Sequence, residues 1–91
     1  MGPVAERLKN KLNAAFSPSR LDLEDESSRH AGHAGARPGG ESHFKVVIEA
    51  AAFEGAPRVQ RQRMVYHVLE DELAGPVHAL SLTALAPGEQ T

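Results

Sequence analysis

A chain of 91 residues, 41% apolar and 24% charged, has the composition of one small globular domain with a modest core. With no cysteine it excludes a disulfide-stapled scaffold and any zinc or iron–sulfur site built from its own thiolates, and a net charge of −2 argues against nucleic-acid binding by bulk electrostatics. No run is long and apolar enough for a membrane span and the first residues carry no apolar signal core, so the expectation is a soluble cytoplasmic protein.

After Pro3, apolar residues recur at Val4, Leu8, Leu12, Ala15 and Phe16, the spacing of one helical face. Ser17-Pro18-Ser19 ends that helix, because proline disfavours helical geometry in the residue before it. Leu21 and Leu23 alternate with Asp22 and Glu24 as a short half-buried strand. Residues 27–42 then hold Gly32, Gly35, Pro38, Gly39 and Gly40 with no apolar period, which predicts a long mobile loop.

Phe44, Val46 and Ile48 mark a second strand with its core face, and the loop is expected to join the two strands as a hairpin. Phe53-Glu54-Gly55 turns the chain, and Pro57 suits a first helical position. Residues 59–73 read as one helix whose broad face carries Val59, Val65, Tyr66, Leu69 and Leu73, stopped by Gly75-Pro76. A separate short turn over residues 57–60 would make a helix–turn–helix pair, which the pattern leaves open. Leu80 and Leu82 belong to a third strand, followed by a polar tail over residues 86–91. The order helix, strand, strand, helix, strand predicts a single α+β domain over residues 1–91, with a core spanning about 4–85 and a three-stranded sheet carrying helices on one face.

Chemistry concentrates in five histidines. Neutral imidazole binds borderline transition metals and titrates near neutral pH. His30 and His33 sit among alanine and glycine in the loop, free to reach a metal; the plainer reading is two solvated side chains. His43 opens the second strand on the parity opposite Phe44, which predicts an exposed or rim hydrogen-bonder, with metal ligation as the second reading. His67 reads as a surface residue of the long helix. His78 follows Gly75-Pro76 and shares parity with Leu80 and Leu82. Two readings of it stand: an imidazole at a strand rim within reach of the loop, or one held by backbone groups.

Arg58, Arg61 and Arg63 form a local basic cluster fit for phosphates, or a solvated helix face. No nucleophile, base and oxyanion arrangement can be assembled, so an enzyme is not expected.

Several blocks taken in order resemble the BolA family from Val4 to Ala84. They are Asp25-Glu26-Ser27 followed by His30, Glu41-Ser42-His43-Phe44-Lys45-Val46-Val47, Phe53-Glu54-Gly55, Arg61-Gln62-Arg63-Met64-Val65-Tyr66, and Leu73 with Gly75-Pro76-Val77-His78-Ala79-Leu80. The resemblance implies a fold like class II KH domains. It also implies a partnership with a monothiol glutaredoxin, in which a [2Fe–2S] cluster is shared and glutathione supplies a thiolate.

By position the family's strand histidine is His78, and its loop ligand is His30, with His33 as a substitute. Two imidazoles on one iron raise the potential above an all-thiolate cluster. Alone, the chain is expected to hold no cofactor and to be a monomer or weak homodimer. The family's other described role, transcriptional regulation in stress and morphology, would use Arg58, Arg61 and Arg63 on DNA. Two departures stand out: Gln62 replaces the usual histidine between the arginines, and the loop is longer by the stretch around His33-Ala34-Gly35. Gly55-Ala56-Pro57-Arg58 also lacks the second glycine of a KH clamp.

Overall fold

The computed structural model describes residues 2–26 and 42–89. Helix α1 spans Pro3–Phe16, with Gly2 as its N-cap and proline at its first position. There the missing N–H costs nothing, because the first amides of a helix have no partner within it. Val4, Ala5, Leu8 and Leu12 form its buried stripe. The helix ends at Ser17, which takes a left-handed conformation (φ 45°, ψ 56°) and returns its N–H to the Asn13 carbonyl. Pro18 prevents any continuation.

Strand β1, Arg20–Asp25, pairs antiparallel with β2, His43–Glu49, in the register Leu21 opposite Ile48 and Leu23 opposite Val46. This is the hairpin pairing expected from the alternation of the two segments. A 3₁₀ turn at Ala51–Phe53 then buries Phe53 completely, its ring 5.1 Å from that of Phe16.

The expected single helix over residues 59–73 is two helices. Helix α2 covers Arg58–Val68 and α3 covers Glu70–Ala74, with Leu69 (φ −103°, ψ 16°) between them. Leu69 is wholly buried, and Glu70, Asp71 and Glu72 occupy the first turn of α3, where acids complement the helix dipole. The separate turn over residues 57–60 is absent: Pro57 caps α2, which starts at Arg58. Val59, expected on the packed face, is 56% exposed. Six residues before Val65, it lies about 240° around the helix from that buried position. Met64 and Val68 pack on the core with Tyr66 and Leu73 instead.

Strand β3, Ala79–Leu85, lies parallel to β2, giving a sheet of order β1-β2-β3. A parallel neighbour needs a crossover, which α2 and α3 supply. Phe44, Val46 and Ile48 share a face with Leu80, Leu82 and Ala84 through the register, and this face joins the core. Asp22, Glu24, Lys45 and Ser81 occupy the exposed opposite face. The result is the expected α+β domain with a three-stranded sheet.

Residues near the two ends depart from the expected loop and tail. Ser42, placed by the sequence in the mobile loop, is fully buried. Ala86 is 4% exposed, so the chain is still packed at the first residue assigned to the polar tail.

Candidate metal centre and basic surface

His78 sits where the crossover returns to the sheet. Its N–H and that of Ala79 both donate to the Ser42 carbonyl, at 2.7 and 3.1 Å. These bonds hold the start of β3 against the start of β2. The His78 side chain is exposed, and its ring nitrogens carry no hydrogen bond among the described residues. Of the two sequence readings, the imidazole at a rim fits this placement, and the one held by backbone groups does not.

Sequence reasoning missed the residue beneath it. His43, expected at an exposed or rim position, is 7% exposed, and its ring centroid lies 5.3 Å from that of His78 at 54°. Strand parity does turn it from the main core. At this strand end, however, the His78 ring lies against it, while the Glu26 N–H donates to the His43 carbonyl at 2.7 Å. Ser42 Oγ and His43 Nδ1 lie 2.9 Å apart, a hydrogen bond that satisfies one ring nitrogen in this buried position. Parity alone cannot distinguish the middle of an open sheet face from a strand end covered by neighbours.

The same bonds fix where residues 27–41 leave and rejoin the domain. Glu26 departs beside His43, and Ser42 arrives beside His78. His30 and His33 lie outside the described residues. Four residue steps lead from Glu26 to His30, a chain length of at most about 14 Å. Among the described residues no group of three or more His, Cys, Asp or Glu is placed to hold a metal ion. At this end of the sheet the described residues therefore offer one accessible imidazole, His78, over a buried one, His43. His67 is exposed as expected, 3.6 Å from Glu70 across one helical turn.

The three arginines are not one surface. The Arg61 side chain is 12% exposed; Nε donates to the Ala56 carbonyl at 2.7 Å, Nη1 to the Ala84 carbonyl at 3.0 Å, and Nη2 to Glu89 Oε2 at 3.0 Å. Its pKa rises through the bond to Glu89, and that bond holds the Glu89 carboxyl down at about 2, aided by the Ala86 N–H. Arg61 is thus a tie between α2, β3 and the chain end. Arg58 and Arg63 are exposed. Five helical positions apart, they point about 140° from each other, so they reach different surroundings.

A small domain with a mixed three-stranded sheet, backed by helices and bearing an exposed histidine where its parallel strands begin, is the class defined by this fold and site. The family model described as BolA-like protein matches residues 12–89, and the chain belongs to that family. Human "BolA-like protein 1" is 43% identical over 89 residues, covering 98% of this chain and 62% of the relative. "DNA-binding transcriptional regulator BolA" of Escherichia coli is 47% identical over 79 residues, covering 87% of this chain and 71% of that protein. The structure of the "BolA domain of SufE1 from Arabidopsis thaliana" superposes with a TM-score of 0.89 at 40% identity, covering 99% of both chains. The chain spans about 62% of the length of the curated animal relatives it matches. Among the described residues no helix is long and apolar enough to cross a membrane.

Proposed function

We propose that this protein is a non-catalytic partner of a monothiol glutaredoxin and shares with it a glutathione-ligated [2Fe–2S] cluster in iron–sulfur assembly, trafficking or iron-redox regulation. The observation that carries this reading is the placement of His78. It is exposed, its ring nitrogens have no hydrogen bond among the described residues, and it stands where both ends of the histidine-bearing segment attach. A neutral imidazole offers one lone pair to a borderline metal, so the chemistry of the residue fits the group.

His78 would hold the group from this chain, with His30, or His33 in its place, as second ligand. When bound, the group supplies a redox-active and transferable iron–sulfur unit. The bonds from the His78 and Ala79 amides to Ser42 keep the backbone of His78 fixed, so only its side-chain torsions need settle on binding. Thiolates must come from the partner, because this chain has none.

The test is anaerobic reconstitution with a monothiol glutaredoxin and glutathione, followed by visible absorption and circular dichroism. The expected result is a spectrum distinct from that of the glutaredoxin alone, lost in His78→Ala. A spectrum that His78→Ala leaves unchanged would overturn the ligand assignment.

A second reading, a DNA-binding regulator, is favoured by the name of the Escherichia coli relative and by the exposure of Arg58 and Arg63. Arg61 is held in the fold, so binding would rest on the other two and weaken steeply with salt. Reversing both charges should abolish it in a gel-shift titration; unchanged binding sinks this mechanism. The proposed compartment is the cytoplasm. The relative "Protein BOLA1, chloroplastic" of Arabidopsis thaliana, 45% identical over 87 residues, makes an organelle the competing outcome of cell fractionation.

A further inference from the structure

The two edges of the sheet are built differently. β1 carries Arg20, Asp22, Glu24 and Asp25, whereas residues 73–88, β3 included, contain no Asp, Glu, Lys or Arg. Charges on an edge strand are a common guard against pairing with another chain, and β3 has none. The register turns the odd-numbered residues of β3 toward β2 and leaves the N–H and C=O groups of Leu80, Leu82 and Ala84 on the open edge. Two of those carbonyls are already engaged: Tyr66 Oη donates to Leu80 O at 3.3 Å, and Arg61 Nη1 to Ala84 O at 3.0 Å. The three N–H groups and the Leu82 carbonyl have no partner among the described residues. The edge therefore offers mostly donors.

Beside it lies a groove of about 250 Å³ lined by Arg58, Gln62, Tyr66, Leu80, Leu82 and Ala84. Arg58 is exposed and forms no ion pair among the described residues. We propose that the open edge of β3 and this groove are a docking site for an extended acidic segment of a partner protein, which adds as a fourth strand. Its backbone carbonyls accept from Leu80, Leu82 and Ala84. A carboxylate on its helix-facing side meets Arg58, and apolar residues two positions to either side, on that same face, cover Leu80 and Leu82. Strand addition of this kind takes its affinity from the main-chain bonds and its selectivity from alternate side chains.

A second copy fits less well. β3 against β3 would oppose two edges that are each short of free acceptors. β3 against the acidic β1 edge of another molecule leaves an unused edge on both and does not close into a defined oligomer. This inference is independent of the cluster reading, since it uses neither His78 nor residues 27–41.

The experiment uses the full chain, labelled with nitrogen-15, and two capped peptides, Thr-Val-Thr-Glu-Thr-Val-Thr, whose valines and glutamate share one strand face, and its counterpart with lysine for glutamate. Expected are shifts of the Leu80, Leu82 and Ala84 amides on addition of the glutamate peptide. Its affinity should be roughly tenfold higher than that of the lysine peptide, the ratio given by one exposed to half-buried charge pair. Arg58→Glu, an exposed change that leaves the core intact, should reverse the order. Silence of the three edge amides at millimolar peptide overturns the proposal, as does equal binding of both peptides. Edge-amide changes that grow with protein concentration alone would assign the edge to self-pairing instead. Shifts confined to Arg58 on adding a single-stranded oligonucleotide, with a silent edge, would assign the groove to nucleic acid.

Discussion

Glu72 is 4% exposed on a five-residue helix, yet it is not isolated: Lys11 Nζ lies 2.9 Å from Oε1 and Arg7 Nε 3.7 Å from Oε2. The bond to Glu72 is also what raises the Lys11 pKa. The Glu72 carbonyl accepts from Gly75 and Val77, so one residue joins α1 to α3 and sets the turn leading to His78. Glu72→Leu is expected to leave Arg7 unpaired and Lys11 with only the exposed Asp71, 3.7 Å away, and to lower the urea midpoint; a matching midpoint in wild type and variant would show that the Glu72 pairs contribute nothing. Phe53 provides the apolar counterpart, wholly buried against Phe16. Phe53→Ala should cost about 3–5 kcal/mol in urea denaturation. That is a large share of the roughly 5–15 kcal/mol typical of a whole domain.

At the scale of elements, the end of the chain is held by a carboxylate. Glu89 binds Arg61 through Nη2, and its other oxygen accepts from the Ala86 N–H at 2.9 Å. Its folded-state pKa, about 2, lies below the ordinary value of 4.5. A depressed carboxyl stabilises the fold fully above its unfolded pKa and loses that contribution as pH falls through the folded one. The tie is therefore complete above about pH 4.5 and fades toward about pH 2. Glu89→Gln should flatten that part of the stability profile in thermal melts between pH 2 and 6, and an unchanged slope would count against the tie. The helix pair α2–α3 shows what a local pattern misses. Leu69 and the acids after it are all acceptable inside a helix, so propensity gives no reason to stop at Val68. The break follows from burying Leu69 while bringing Glu72 onto Lys11.

For the whole molecule, β2 and β3 start side by side, and residues 27–41 attach at that same end. Loop-closure entropy changes slowly with length, so halving this segment alters folding stability by only about 0.6 kcal/mol if it contributes no packing. Removing residues 28–35, which takes both loop histidines, should therefore leave the urea midpoint nearly unchanged. The same deletion should abolish the distinct spectrum of the glutaredoxin mixture. A large stability loss would instead show that the segment packs on the domain, and a retained spectrum would remove His30 and His33 as ligands.

The alternation of Leu21 and Leu23, and of Phe44, Val46 and Ile48, was enough to define two strands, because a half-buried strand writes its two faces into neighbouring residues. The four-residue spacing of Val4, Leu8 and Leu12 defined α1 for the same reason, and the blocks around His43, Arg61 and His78 pointed to the family. Those properties are local, or follow residue order, so the sequence by itself determined them. Only the tertiary structure decided the parallel pairing of β3, the break at Leu69, the burial of His43 and Glu72, and the withdrawal of Arg61 from the basic cluster. Each depends on which residues distant in sequence become neighbours, and a one-dimensional period carries no record of that.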